Sequence, residues 1–150
     1  MDNFVKILFA FHSNVLDEWT IETMWAETIN IDKGYYQIDN IPFYAPVACG
    51  DIIYAEYDED EKRLVYRETI TPSGNSTIQV IVYKAGNMDE IRGLFNSLGC
   101  ESEKFNDGYF VIDVPASLDY TPVKERLEQL SAQSLLDYAE PCLGESHGNY

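Results

Sequence analysis

The residue pattern predicts an α+β protein built in two halves: a small, twisted, all-β module over residues 1–72, then an α+β half over residues 73–150. Three observations carry this reading. Apolar residues alternate with period two through the first half, helical stripes arise only in the second, and the turn-forming cluster Thr71-Pro72-Ser73-Gly74-Asn75 falls near the midpoint. With 150 residues, 45% of them apolar, and with Tyr 11 and Phe 7, the chain can bury a sizeable core and is too hydrophobic for the disordered class.

In the first half, Val5, Ile7, Phe9 and Phe11 alternate with Lys6, Leu8, Ala10 and His12, as one buried face of a strand requires. Further strands are predicted at Thr23–Ile31, ending at Asp32-Lys33-Gly34, then at Tyr35–Asp39, Asp51–Tyr57 and Arg63–Ile70. The last two are joined by the charged turn Asp58-Glu59-Asp60-Glu61-Lys62. After the boundary, Ser76–Lys84 reads as a buried strand. Asn87 caps a helix with Glu90 in the capping-box position and Ile91, Leu94, Phe95 and Leu98 as its stripe, and Gly99 stops it. Glu101–Phe105 and Tyr109–Val114 flank the hairpin signal Asn106-Asp107-Gly108. Thr121-Pro122 supplies an N-cap and a first-turn proline for a second helix through Val123, Leu127 and Leu130, and Leu135–Tyr138 closes the set as a strand. The order β-α-β-β-α-β is that of the ferredoxin-like, split-βαβ plan. Gly144 to Tyr150 reads as a frayed polar tail.

Charge narrows the function. Against 10 basic residues stand 26 acidic ones, a formal net charge of −16, so anionic lipid head groups and phosphate backbones are repelled. Membrane and direct nucleic-acid binding are therefore not expected, and the absence of a signal-peptide pattern at Asp2, Asn3 and Phe4–Phe11 predicts a cytoplasmic protein. Cys49, Cys100 and Cys142 are widely separated, which suits reduced thiols and argues against a disulfide framework or zinc site.

Catalytic arrangements are not legible. His12 lies on the less apolar face of a strand and His147 in the polar tail, so no fixed Ser–His or Cys–His pair is expected. The run Asp58 to Glu61 lacks the glycine and terminal glutamate of a calcium loop, and no phosphate-binding or zinc-hydrolase motif is present. No catalytic residue, cofactor or metal is predicted.

Trp25-Ala26-Glu27, Tyr36-Gln37-Ile38-Asp39-Asn40-Ile41-Pro42-Phe43, Gly50-Asp51 and Ser73-Gly74-Asn75-Ser76-Thr77, in that order, resemble a bacterial family known as domain of unknown function 4265. The resemblance covers most of the chain and implies a bacterial origin and a shared fold; it brings no catalytic residues with it.

The expected function is that of an acidic protein-binding module. Glu56, Asp58, Glu59, Asp60 and Glu61 share a hairpin with Tyr54, Tyr57 and Tyr66, a mixture of negative field and large amphipathic rings suited to docking on a basic protein. A cytosolic immunity or inhibitor protein that occludes the active site of a basic toxin or nuclease fits this best, and a regulator of an endogenous ribonuclease would use the same surface. The alternative is an enzyme or small-ligand binder with a pocket between the halves, where Trp25, Tyr36, Asp39, Asn40, Asp51, Ser76 and Thr77 would converge.

Overall fold

The computed structural model describes residues 3–13 and 16–148; Asp2 and the tail residues Asn149 and Tyr150 lie outside them. Strands β1 (Phe4–Ser13), β2 (Glu18–Asn30), β3 (Tyr35–Ile38), β4 (Ile52–Asp58) and β5 (Arg63–Thr71) form a meander that closes into a barrel. Successive strands pair antiparallel, and the closure is a short parallel contact, Ile7 opposite Leu64 and Leu8 opposite Val65. Closing so few strands demands strong twist, and register shifts in the β2–β3 and β4–β5 ladders supply it through extra residues. The expected inner face holds, with Ile7 and Phe9 buried and Val5 and Phe11 packed against the same interior, but Leu8 on the opposite face is buried as well. Ala26, Ala45 and Ala55 keep that interior narrow beside Met24, Tyr36, Ile38 and Ile53. At the β2–β3 turn only glycine fits, because Gly34 has φ +76° and a Cβ there would strike the Ala55 carbonyl and the Tyr54 ring.

Strands β6 (Ser76–Val82), β7 (Glu101–Asn106), β8 (Tyr109–Val114) and β9 (Leu136–Cys142) form a second sheet, ordered β7-β8-β6-β9, with every neighbouring pair antiparallel. Helices α1 (Met88–Ser97) and α2 (Thr121–Ala132) contribute Ile91, Phe95, Val123 and Leu127 to one core with Ile78, Val80, Phe110, Ile112 and Leu136. The Asn87 side chain accepts from the Glu90 amide at 3.0 Å, as the capping pattern predicts. All six residues of β8 are buried, because alternate side chains face the helices and the others face a long loop of the barrel.

Most strand ends lie within one or two residues of expectation, and four departures are of more consequence. Strand β2 begins at Glu18 rather than Thr23, since β1 runs on to Ser13 and pairs with it. Strand β9 extends to Cys142 because β6 offers Thr77 as its partner. Tyr120 is the cap of α2, with Thr121 already in the first turn. The tail is not frayed through its described part: Glu145–His147 form a single 3-10 turn, and His147 is buried beside Ser76 and Tyr120.

Candidate functional site

Residues 39–51, between β3 and β4, form a wedge that joins the barrel to the second sheet. Glu22 on β2 holds one end: its carboxylate accepts amide N–H bonds from Phe43 (2.7 Å), Tyr44 (3.1 Å) and Ala45 (2.9 Å). The loop thus presents an anion cradle that the chain fills with its own side chain. Asp51 fixes the other end, accepting from the Ala48 amide at 3.0 Å and the Ser73 amide at 2.8 Å. From the sheet, Thr77 Oγ1 donates to the Val47 carbonyl (2.9 Å), Asn75 Nδ2 to the Cys49 carbonyl (2.9 Å) and the Tyr109 hydroxyl to the Phe43 carbonyl. Tyr44 stacks on Tyr109 with centroids 5.0 Å apart, and Phe43 packs on Phe105 at the same separation.

The wedge leaves a cleft of about 360 Å³ between β2 and β7, lined by Glu22, Thr23, Met24, Asp39, Asn40, Ile41, Phe43, Cys49, Glu101 and Glu103. No basic side chain lines it among the described residues. Asp113 lies behind Glu101, its direct partner across the β7–β8 ladder, and on the same row of the sheet as Thr77. It is 8% exposed, and its Oδ1 is buried without a hydrogen-bond partner among the described residues. Burial, reinforced by Glu101 and Asp51, pushes its carboxyl up to about 6. Burial and the surrounding carboxylates, Asp113 first among them, raise the Cys49 thiol to about 11, which keeps it protonated and unreactive at neutral pH. Among the described residues no group of three or more His, Cys, Asp or Glu could hold a metal ion.

Of the residues expected in a pocket between the halves, the structure brings together Asp39 and Asn40, which line this cleft, with Asp51 and Thr77 behind it in the wedge contacts. Asn40 accepts from the Trp25 amide at 2.6 Å, and the Trp25 ring sits outside, under Lys6 Nζ at 5.2 Å. Tyr36 is inside the barrel. Ser76 points to the far side, where a Ser–His pair exists after all: its Oγ accepts from the Gly144 amide (2.7 Å) and so directs its proton to His147 Nδ1 (2.6 Å), while His147 Nε2 donates to the Leu118 carbonyl (2.9 Å). Ser76 and His147 are 0% and 1% exposed, so the pair has no access to a substrate and acts as a structural pin.

The β4–β5 hairpin is ordered by Asp58, whose Oδ1 accepts from the amides of Asp60 (2.9 Å) and Glu61 (3.1 Å). These bonds and Arg67 hold its carboxyl below the usual range. Arg67 reaches Glu56 at 3.2 Å and Asp58 at 3.3 Å, so two of the hairpin carboxylates are matched internally and Glu59, Asp60 and Glu61 remain exposed. Tyr57 is 62% exposed beside them. Tyr54 is half-buried against Gly34, and Tyr66 stacks on Phe9 at 4.8 Å with its hydroxyl on Thr69, which commits it to the barrel. Sequence reasoning passed over Glu101, Glu103 and Asp113 because nothing local distinguishes them from other carboxylates. It also passed over the outer face of β2, where Trp19, Ile21, Trp25 and Ile29 are exposed at alternate or doubly alternate positions. That period was readable.

Barrel, wedge and helix-backed sheet together define an α+β protein with an acidic cleft at the junction of its two sheets. The family model described as Domain of unknown function (DUF4265) matches residues 22–138, and the chain belongs to that family. Its structure is similar to that of a hypothetical protein from Neisseria gonorrhoeae, with a TM-score of 0.81 and 23% identity over 96% of each chain, a likeness of fold. No curated protein matches the chain.

Proposed function

We propose that this chain is a non-catalytic acidic module that docks on a basic protein, acting in the cytoplasm as an immunity or inhibitor protein against a basic toxin or nuclease. The observation that carries the reading is the β4–β5 turn: Asp58 fixes its backbone, and Glu59, Asp60 and Glu61 stand exposed next to Tyr57. A preordered turn loses little entropy on binding, the charges steer encounter, and the tyrosine supplies short-range contact. A regulator of an endogenous ribonuclease would dock by the same physics. Among the described residues no helix is long and apolar enough to cross a membrane. The strand order β9-β6-β8-β7, antiparallel throughout with both helices on one face, supports assigning the second half to the ferredoxin-like plan.

The test is capture from the source organism's lysate with the tagged chain and with a variant carrying Glu59→Lys, Asp60→Lys and Glu61→Lys. Asp58 is left in place because its carboxylate holds the turn. A basic protein retained by the native chain, lost on raising salt and lost from the variant, supports the reading. Retention by the variant at any salt removes the hairpin as the docking surface. A second reading, a small-ligand binder, is favoured by the cleft between the sheets, and a bait that captures no protein shifts weight to it.

A further inference from the structure

We propose that the cleft between β2 and β7 receives a guanidinium or ammonium side chain from an extended basic segment of a protein partner, clamped by Asp39, Glu101 and Glu103 with Asp113 beneath. This rests on the reading of the chain as an acidic protein-binding module and moves its specificity from the hairpin to the cleft.

Four observations converge on it. Of the carboxylates lining the cleft, Glu22 is spent on the wedge amides, whereas Asp39, Glu101 and Glu103 make no ion pair or hydrogen bond with the described residues. Asp113 Oδ1 is buried and unpartnered among the described residues, although a buried acceptor left unmade costs about 1–3 kcal/mol and native structures seldom tolerate one without a reason. Asp113 stands across the β7–β8 ladder from Glu101, which lines the cleft, so a cation held by Glu101 offsets the buried charge behind it. Among the described residues both walls are free sheet edges: β2 over Glu22–Met24 pairs with β1 alone, and β7 pairs only with β8. Unpaired edges offer backbone donors and acceptors to an extended chain laid between them, which fixes a side chain over the acidic floor. Finally, the donor set does not form a metal site, whereas a planar guanidinium with its fork of N–H groups suits carboxylates spread along two edges.

The groups facing Asp113 are Glu101 from β7, Asp51 and Cys49 from the wedge, and Cys100 at the foot of β7; β6 presents Thr77. All of the charged ones are acidic. Below about pH 6 the Asp113 carboxyl is protonated and adds no negative charge behind Glu101, so affinity for a cation in the cleft rises as pH passes from about 5 to 7.

A short fluorescent arginine-rich peptide, its citrulline counterpart and spermidine serve as probes, with binding read by anisotropy and by competition. The native chain is expected to bind the arginine peptide at least about tenfold more tightly than the citrulline peptide. Asp113→Asn, and separately Glu101→Gln with Glu103→Gln, are expected to abolish most of that difference, and Asp113→Asn to flatten the pH dependence. Amide shifts on titrating the native chain should cluster at residues 22–24, 39–40 and 101–103, a readout independent of any variant's folding. If the cleft variants bind as the native chain does while reversal of Glu59, Asp60 and Glu61 abolishes binding, the cleft is overturned and the acidic module stands. Arginine and citrulline peptides binding alike overturn the cleft whatever the lysate yields. Spermidine binding as tightly as the peptide and displacing it overturns the peptide assignment in favour of a free polyamine.

Discussion

Glu22 is the residue on which the site most depends, because one carboxylate satisfies three amides that would otherwise lie unpaired where the wedge turns back on the barrel. Charge-assisted bonds of this kind are worth more than neutral ones, and the three amides make no other hydrogen bond among the described residues. Glu22→Ala should therefore destabilise the fold by about 2–4 kcal/mol, a drop in Tm of roughly 5–15 °C for a chain of this length, while Glu22→Gln recovers part of the loss. A thermal melt of the two variants checks this; equal melting to the native chain would mean that the wedge is held from the sheet alone. Asp113 makes the opposite prediction. Its folded-state carboxyl titrates near 6, above the ordinary 3.8, so the folded state holds the proton more tightly than the unfolded one and stability falls as pH rises between those two values. Asp113→Asn removes that penalty: urea melts should show the variant gaining on the native chain by ~1–3 kcal/mol between pH 4 and 7, with no further gain above. None of this is legible in the sequence, where Glu22 and Asp113 are two acids among 26 and their partners lie far along the chain.

At the scale of elements, what could be read and what could not divide by sequence distance. The α1 cap depends on Asn87 and Glu90 three positions apart, and the β4–β5 turn on Asp58 and its two following amides; both are local and both follow from residue type. The segment after β9 is the counter-example. Its residues are polar and glycine-rich, which predicts fraying, yet Ser76, 71 positions away, donates to His147 and accepts from the Gly144 amide. Gly144 fits there because a Cβ would overlap the Gly74 carbonyl. Ser76→Ala leaves a buried imidazole nitrogen and a buried amide without partners, so it should cost about 2–4 kcal/mol, and His147→Ala a similar amount through the cavity it opens. Hydrogen exchange provides the local readout: in both variants amides from Gly144 to Gly148 should lose protection while those of α1 keep theirs. Full protection in either variant would show that the turn is held by its own backbone.

For the whole molecule the question is whether the two halves expected at residues 1–72 and 73–150 are independent. Each has its own apolar core, which by itself would allow separate unfolding. The junction argues against it. The bonds from Thr77, Asn75 and Tyr109 to the wedge carbonyls, the Asp51–Ser73 bond and the Tyr44–Tyr109 stack all join the barrel's loop to the second sheet, and both Thr77 and Asp51 are buried. Opening the junction would give up these bonds and the ring stack together, at about 0.5–1.5 kcal/mol net for each bond, a large share of the stability of a domain of this size. Urea unfolding should therefore be a single transition, with far-ultraviolet and near-ultraviolet circular dichroism coincident. The net charge of −16 acts on the same equilibrium from the other side, since a compact chain concentrates its self-repulsion. Added salt screens that repulsion within about 10 Å at 0.1 M and should raise the midpoint of the one transition. Two separated transitions, with only the barrel's midpoint moving with salt, would instead mean that the wedge is a tether and that the acidic cleft opens and closes with it.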